Sequence, residues 1–136
     1  MKKSLRLLLG LGLLVCLCAC TDPFANDNDN TFETSLLYGK WQEGTVYEHY
    51  YASPVDHVLP NGETVQVNGI TWDTSDDVNE DEGQAFNWTL DGATLTQEHI
   101  STYTTIPKIY TITTLTSNKL TYVDDYGTSH YYTKVN

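Results

Sequence analysis

The chain has 136 residues, and its 18 acidic residues outnumber seven lysines and arginines to give a formal net charge of −11. Such a charge repels nucleic acid and anionic membrane surfaces, so we predict no nucleic-acid partner. The length suits one domain rather than two, and ten tyrosines with three tryptophans make the chain unusually aromatic.

The first 19 residues have the order of an export signal. Lys2, Lys3 and Arg6 precede an apolar run over residues 7–17 that is too short to span a bilayer. The four residues Leu-Cys-Ala-Cys at 17–20 resemble the lipobox of bacterial lipoproteins. The resemblance implies cleavage before Cys20, a diacylglycerol thioether on its thiol and acylation of the new amino terminus, for example with palmitate. Such acyl chains anchor a domain firmly in a membrane. An ordinary secretory signal with incidental cysteines is the alternative.

Cleavage there would leave 117 residues carrying four lysines and 18 acids, a formal charge of −14, with no cysteine except Cys20. We predict a signal peptide over 1–19, a flexible acidic tether over 20–34 and a folded domain over 35–136. The tether's Asp22, Asp27 and Asp29 loosely resemble the surface-export signal of Bacteroidota lipoproteins. We therefore expect an exported, lipid-anchored protein at the outer membrane, on either its periplasmic face or the cell surface.

The rest of the chain alternates short segments rich in Thr, Tyr, Val and Ile with turn residues, which predicts an antiparallel all-β domain. Its clearest hairpin runs over 86–95 and turns at Asp91-Gly92. Further turns are predicted at 60–62, 117–118 and 125–127. In all we expect seven or eight strands: one over 41–51, a pair within 63–72 that turns at Asn68-Gly69, and others at 86–90, 93–95, 110–113, 120–123 and 130–135.

A meander of this size is best closed into a small up-and-down β-barrel, because closure removes exposed strand edges. The segment Leu37-Tyr38-Gly39-Lys40-Trp41 resembles the Gly-x-Trp signature of lipocalins. From there to residue 135 the order of motifs is similar to that of lipocalin-like lipoproteins of Bacteroides and its relatives. The resemblance implies a structural role for Gly39 and Trp41, with Trp41 closing one end of the barrel. It also suggests Lys134 on the last strand as the basic residue stacked on that tryptophan.

The acidic run over 73–83 is the one segment able to bind a partner by charge alone. Asp77, Asn79 and Asp81 have the spacing of the first calcium-loop ligands, but Glu82 and Trp88 occupy positions where such loops need glycine and a bidentate carboxylate. We therefore expect a solvated, mobile inter-strand loop and keep calcium only as a weak alternative.

The aromatic residues suggest a binding site inside the barrel. Tyrosine has an apolar body and a polar tip, so a barrel mouth lined with it can hold a partly polar molecule. The alternative is that these residues only pack, since tyrosine is also a favoured strand residue. Neighbours in a strand point to opposite faces, so only one residue of each Tyr-Tyr pair can face inward. The candidate ligand-binding residues are Trp41, Tyr51, Trp88, Tyr110, Tyr122 and Tyr132.

Nothing in the chain indicates catalysis, because nucleophile motifs, phosphate loops and closely spaced histidines are all missing. We predict no enzymatic activity and no cofactor. Two functions stay open: a module that binds a small apolar or amphipathic molecule in the barrel mouth, or a filled barrel that docks another envelope protein. An open cavity would favour the first, and an exposed aromatic patch without a cavity the second.

Overall fold

The structure, a computed structural model, describes residues 31–136. The signal segment, Cys20 and residues 20–30 of the predicted tether lie outside the described residues. Eight antiparallel strands form one sheet that closes when β1 pairs with β8, which confirms the predicted all-β barrel. The strands are β1 Gly39–Glu43, β2 Val46–Val58, β3 Thr64–Asp73, β4 Gln84–Asp91, β5 Thr94–Ile100, β6 Thr105–Leu115, β7 Lys119–Val123 and β8 Ser129–Val135.

The predicted turns at 60–62, 91–92, 117–118 and 125–127 are confirmed as the links between consecutive strands. Residues 31–136 contain both partners of every strand pair of the ring. The only helical segments in this part of the chain are 3-10 turns at Thr34–Leu36, Thr74–Asp76 and Glu80–Glu82. No helix in this same range is long and apolar enough to cross a membrane.

The single strand predicted over 41–51 is wrong, because a two-residue turn at Gly44-Thr45 divides it into β1 and β2. Gly44 has φ of 60°, a left-handed conformation that glycine adopts without steric cost. The turn places Trp41 opposite Glu48. The even-numbered residues that follow in β2, up to Tyr50, therefore share the inward face of Trp41.

The hairpin predicted around Asn68-Gly69 is also wrong, because both residues continue β3. A Cβ atom built on Gly69 would lie 2.1 Å from Cε2 of Phe86 on the neighbouring strand. Glycine is required here for close approach of an aromatic ring to the backbone, which is the other common use of glycine in a strand.

One end of the barrel is closed over Trp41, as the Gly-x-Trp resemblance implied. The Trp41 indole is fully buried, and its Nε1 donates to the Leu37 carbonyl at 2.8 Å. Lys134 Nζ lies 4.6 Å from the indole centroid and donates to the carbonyls of Leu36 at 3.2 Å and Tyr38 at 2.5 Å. The expected stacking of Lys134 on Trp41 is therefore present.

The inner core extends from this closed end into the interior of the barrel. Phe32 packs against it from within the predicted tether, so contacts with the barrel begin before residue 35. The core's buried members are Leu37, Trp41, Tyr50, Phe86, Trp88, Leu95, Ile112, Leu115, Leu120, Tyr122 and Tyr132.

We expect Lys134→Ala to lower the free energy of unfolding by about 1–2 kcal/mol, because it removes both a cation–π contact and donors to two carbonyls. Chemical denaturation followed by tryptophan fluorescence measures the change. Lys119→Ala, at an exposed position on β7, is the control and should be nearly neutral. Equal stability of the two variants would contradict a closing role for Lys134.

The opposite face of the sheet carries a second hydrophobic cluster. Ile70, Trp72 and Ala85 are buried there with Val67. Ile70 and Ala85 are paired and alternate with inward Gly69 and Phe86, so they face outward.

The acidic segment 73–83 exposes most of its side chains, as its composition predicts, but part of it packs against this outer cluster. Val78 packs against the cluster, and Gly83 is buried with no room for a Cβ beside Ile70. Glu80 accepts hydrogen bonds from Lys40 at 3.0 Å and from Tyr51 at 3.2 Å. The segment is thus tied down by both apolar and ionic contacts.

Candidate functional site

The end of the barrel away from Trp41 and Lys134 contains an open cavity of about 520 Å³. Its volume lies within the range that small-molecule sites usually occupy. Strands β2, β5, β6, β7 and β8 contribute to its walls, together with the turn between β7 and β8.

The first half of β6 faces this cavity without being covered. Residues paired across a sheet share a face, and Phe86, His99 and Ile106 pair in sequence across β4, β5 and β6. Ile106 therefore points inward with Phe86, yet 52% of its surface is exposed. Pairing of β6 with β7 begins only at Thr111, so the preceding six residues of β6 extend beyond β7. The barrel is filled at one end and open at the other.

Glu48 lines the cavity, although the residue is only 4% exposed. Oε1 accepts from the Tyr122 hydroxyl at 2.8 Å and from the Tyr132 hydroxyl at 3.4 Å. Oε2 accepts from the Tyr50 hydroxyl and, at 3.5 Å, from Gln97 Nε2. Every buried side-chain nitrogen or oxygen within residues 31–136 has at least one hydrogen-bond partner.

Burial shifts the titration of the whole network. Burial raises the pKa of Glu48, and the hydrogen bonds from Tyr50, Tyr122 and Gln97 only partly oppose this. Burial and the adjacent Glu48 carboxyl also raise the pKa of Tyr50, Tyr122 and Tyr132 above the ordinary tyrosine value. The three hydroxyls therefore stay protonated and available as donors at neutral pH.

Gln97 and His99 extend the network along β5. Gln97 Nε2 donates to the Tyr50 hydroxyl at 2.7 Å, and Gln97 Oε1 lies 2.8 Å from His99 Nε2. Burial, reinforced by the charge of Lys108, lowers the pKa of His99 to about 4. His99 is consequently neutral at physiological pH and donates one N–H to Gln97.

At the rim, His130 bridges two carboxylates. Its Nδ1 lies 3.0 Å from Glu43 Oε1 and its Nε2 lies 2.9 Å from Asp124 Oδ2. Although burial opposes the shift, hydrogen bonds to Asp124 and Glu43 raise the pKa of His130. The bridge joins the β1–β2 hairpin to the β7–β8 turn and so shapes one side of the mouth.

The cavity brings together three of the six predicted ligand-binding residues, Tyr110, Tyr122 and Tyr132. Trp41 lies at the closed end, and Trp88 is buried in the inner core, where its ring packs edge-on against Tyr50.

Tyr51 lies on the outer face, stacked on His49 and hydrogen-bonded to Glu80. Burial and the Glu80 charge raise the pKa of Tyr51 to about 12. Tyr51 faces outward because the Gly44-Thr45 turn reverses which residues of β2 point into the barrel. Of the final Tyr-Tyr pair, Tyr132 is buried and Tyr131 is 67% exposed.

Glu48, Gln97 and His99 line the cavity without having been predicted as ligand-binding residues, and the same is true of Ile106, Lys108 and His130. Glu48 lies two residues before Tyr50 on the inward face of β2, and Gln97 and His99 follow Leu95 at alternate buried positions of β5. The one available signal was a carboxylate and an amide at inward positions of otherwise apolar strand faces. The carboxylate of Glu48 can be recognised as inward-facing only once it is known which residues of β2 point into the barrel.

The weak calcium candidates lie in the acidic segment 73–83. Asp77 follows the 3-10 turn at Thr74–Asp76, Asn79 precedes the next turn, and Asp81 lies within it. Asn79 donates its backbone N–H to Glu82 at 3.3 Å. Within residues 31–136, no group of three His, Cys, Asp or Glu side chains is placed to hold a metal ion.

Comparison of the chain with protein-family models, curated proteins and solved structures gave no match. The geometry of the open end is therefore what bears on function.

Proposed function

We propose that this protein is a binding module in which the open end of the barrel receives a small amphipathic molecule. Exported and lipidated at Cys20, it would present that cavity at the outer membrane, on the periplasmic face or at the cell surface. The lipid anchor and the likeness to lipocalin-like lipoproteins rest on the sequence motifs alone.

The observation that carries the proposal is the uncovered inward face of β6. Ile106 points into a cavity of about 520 Å³ and is half exposed, whereas inward residues of the closed half, such as Leu95 and Ile112, are fully buried. An apolar side chain left facing open space gains nothing for folding, but it can contact a ligand.

The lining offers both kinds of contact that an amphipathic molecule needs. The rings of Tyr110 and Tyr122 lie 4.2 Å apart along one wall and provide apolar surface. The hydroxyls of Tyr122 and Tyr132, with the Glu48 carboxyl, provide polar contacts at the bottom.

A neutral fluorescent probe, N-phenyl-1-naphthylamine, tests the proposal, because its emission rises when it enters an apolar site. We expect saturable binding of one molecule to the protein comprising residues 31–136. Ile106→Trp places a large ring in the cavity and should weaken probe binding by about tenfold or more.

Thr111→Trp is the matched control, since Thr111 is exposed and lies on the outward face of the same strand. It should bind the probe as the parent protein does. Equal probe binding by both tryptophan variants, or no saturable binding at all, would contradict a ligand site in the cavity and favour a barrel that docks another protein through its outer surface.

A further inference from the structure

We propose that the cavity selects an organic cation, a small molecule whose ammonium group reaches the Glu48 carboxyl while its apolar part lies against the tyrosine wall. This inference rests on the proposed function of the cavity as a ligand site and specifies the chemistry of the ligand's polar end.

The Glu48 carboxyl has room for another donor. Its hydrogen bond from Tyr122 is close, at 2.8 Å, whereas those from Tyr132 and Gln97 are long, at 3.4 and 3.5 Å. An ionised carboxylate offers about four acceptor directions, and the long contacts use two of them poorly. An N–H donor entering from the cavity can replace them with a short, charge-assisted hydrogen bond.

No ion pair to Glu48 exists within residues 31–136. Lys40 is paired with Glu80 on the outer face, and Lys134 is held at Trp41. A buried carboxylate surrounded only by neutral donors lacks the opposite charge that usually accompanies burial. A cationic ligand supplies that charge.

The approach to the cavity also favours a cation. Asp125 lies at the mouth beside Asp124, which is paired with His130, and the half-buried ring of Tyr110 can hold an ammonium group by cation–π attraction. Besides His130, which two carboxylates already pair, the opposing feature is Lys108, an exposed cation on the inward side of β6 opposite Gln97. It makes the proposal testable from two directions, because its removal should help a cation whereas removal of Glu48 should harm it.

Three probes that share a phenyl ring and a short alkyl chain differ in head-group charge: 2-phenylethylammonium, neutral 2-phenylethanol and anionic 3-phenylpropanoate. We expect isothermal titration calorimetry at neutral pH to show the ammonium binding about tenfold tighter than the alcohol, with the carboxylate weakest. Competition with N-phenyl-1-naphthylamine places each probe in the cavity.

Glu48→Gln keeps the size of the side chain and removes its charge. It should weaken ammonium binding by about 30-fold or more while changing alcohol binding little. Glu98→Gln removes an exposed, outward charge from β5 and is the control for overall charge, with an expected change within about twofold. Lys108→Gln should strengthen ammonium binding by about twofold.

Equal or tighter binding of the alcohol, or an ammonium preference that survives Glu48→Gln, would overturn the inference. So would failure of the ammonium to bind while the naphthylamine probe still binds, and in that case the cavity remains a ligand site for a molecule of different chemistry. If the naphthylamine probe also fails to bind, the proposed function fails as well.

Discussion

Gly69→Ala should destabilise the barrel by about 3 kcal/mol, at the upper end of what overpacking of a core usually costs. The added Cβ would lie 2.1 Å from Cε2 and 2.5 Å from Cζ of Phe86. Phe86 is fully buried and cannot swing aside freely, because its ring contacts Tyr50 at a centroid distance of 5.6 Å and stacks on His99 at 5.2 Å. The clash therefore spreads into the Glu48 network.

Urea denaturation of the variant and of Gly127→Ala measures this effect against a matched control. Gly127 has φ of 80° and open space around it, so its alanine variant should lose only about 1 kcal/mol from backbone strain. Adding Phe86→Leu to Gly69→Ala should recover part of the loss by making room for the methyl group. Similar stabilities for the two alanine variants would show that Gly69 is not a packing requirement.

Glu48→Gln should stabilise the protein at neutral pH by about 1–3 kcal/mol, because it removes a charge that the fold buries without an opposite charge. Burial raises the pKa of Glu48, so the folded protein holds this proton more tightly than the unfolded chain does. The Glu48 carboxyl therefore makes its full contribution to stability at pH values below its pKa in the unfolded chain. This contribution is lost as the pH rises through its pKa in the folded protein. The glutamine variant does not titrate and lacks this loss.

Free energies of unfolding measured from about pH 4 to about pH 8 should show the difference between variant and parent growing as the pH rises above the unfolded pKa of glutamate. His99 acts in the opposite direction in both proteins. Its pKa of about 4 lies below the unfolded value of 6.5, so its contribution is lost as pH falls through that window. Because this contribution is common to both proteins, the difference between their free energies of unfolding reports the contribution of Glu48 alone. Glu98→Gln should show no such difference, and a Glu48→Gln variant less stable than the parent at neutral pH would contradict the prediction.

A buried carboxylate without an opposite charge, as at Glu48, is typical of a site kept for binding rather than for the fold. Glu48 is the only aspartate or glutamate that is buried within residues 31–136. The stability lost at Glu48 is what a cationic ligand would restore on binding.

The fold could be predicted from the sequence because hairpin turns and alternation are local signals. The Asp91-Gly92 hairpin and the two C-terminal hairpins lie where turn residues interrupt alternating segments. The turn predicted at Gly69 was wrong because this glycine makes room for the ring of Phe86, which lies 17 positions away and is not identified by the local sequence. The same residue type marks a turn or a close contact, and only the pairing of strands decides between them.

The lining of the candidate site depends on which residues of β2 face into the barrel, and the sequence alone does not show this. An unbroken strand over 41–51 would place Tyr51 on the same face as Trp41, whereas the turn at Gly44-Thr45 places Glu48 and Tyr50 there. Because the two-residue turn was not predicted, the predicted lining contained Tyr51 in place of Glu48.

The acidic segment 73–83 also shows that composition alone does not predict the contacts of a segment. Its charge predicts solvation, but Glu80 finds Lys40 and Tyr51 in space, and these partners lie 40 and 29 positions away. Although burial opposes the shift, hydrogen bonds from His49 and Lys40 lower the pKa of Glu80, so it is ionised there. Long-range pairing of this kind leaves no mark in the local sequence.

Native mass spectrometry tests most directly the proposal that the open end of the barrel carries a small molecule. Residues 31–136, exported in the natural host behind an ordinary secretory signal and purified from the envelope, would be weighed beside the Ile106→Trp variant. We predict a reproducible mass excess in the parent protein that organic extraction removes and that the variant lacks. A bare mass for both proteins, with or without a co-purifying protein, would contradict a ligand-carrying barrel.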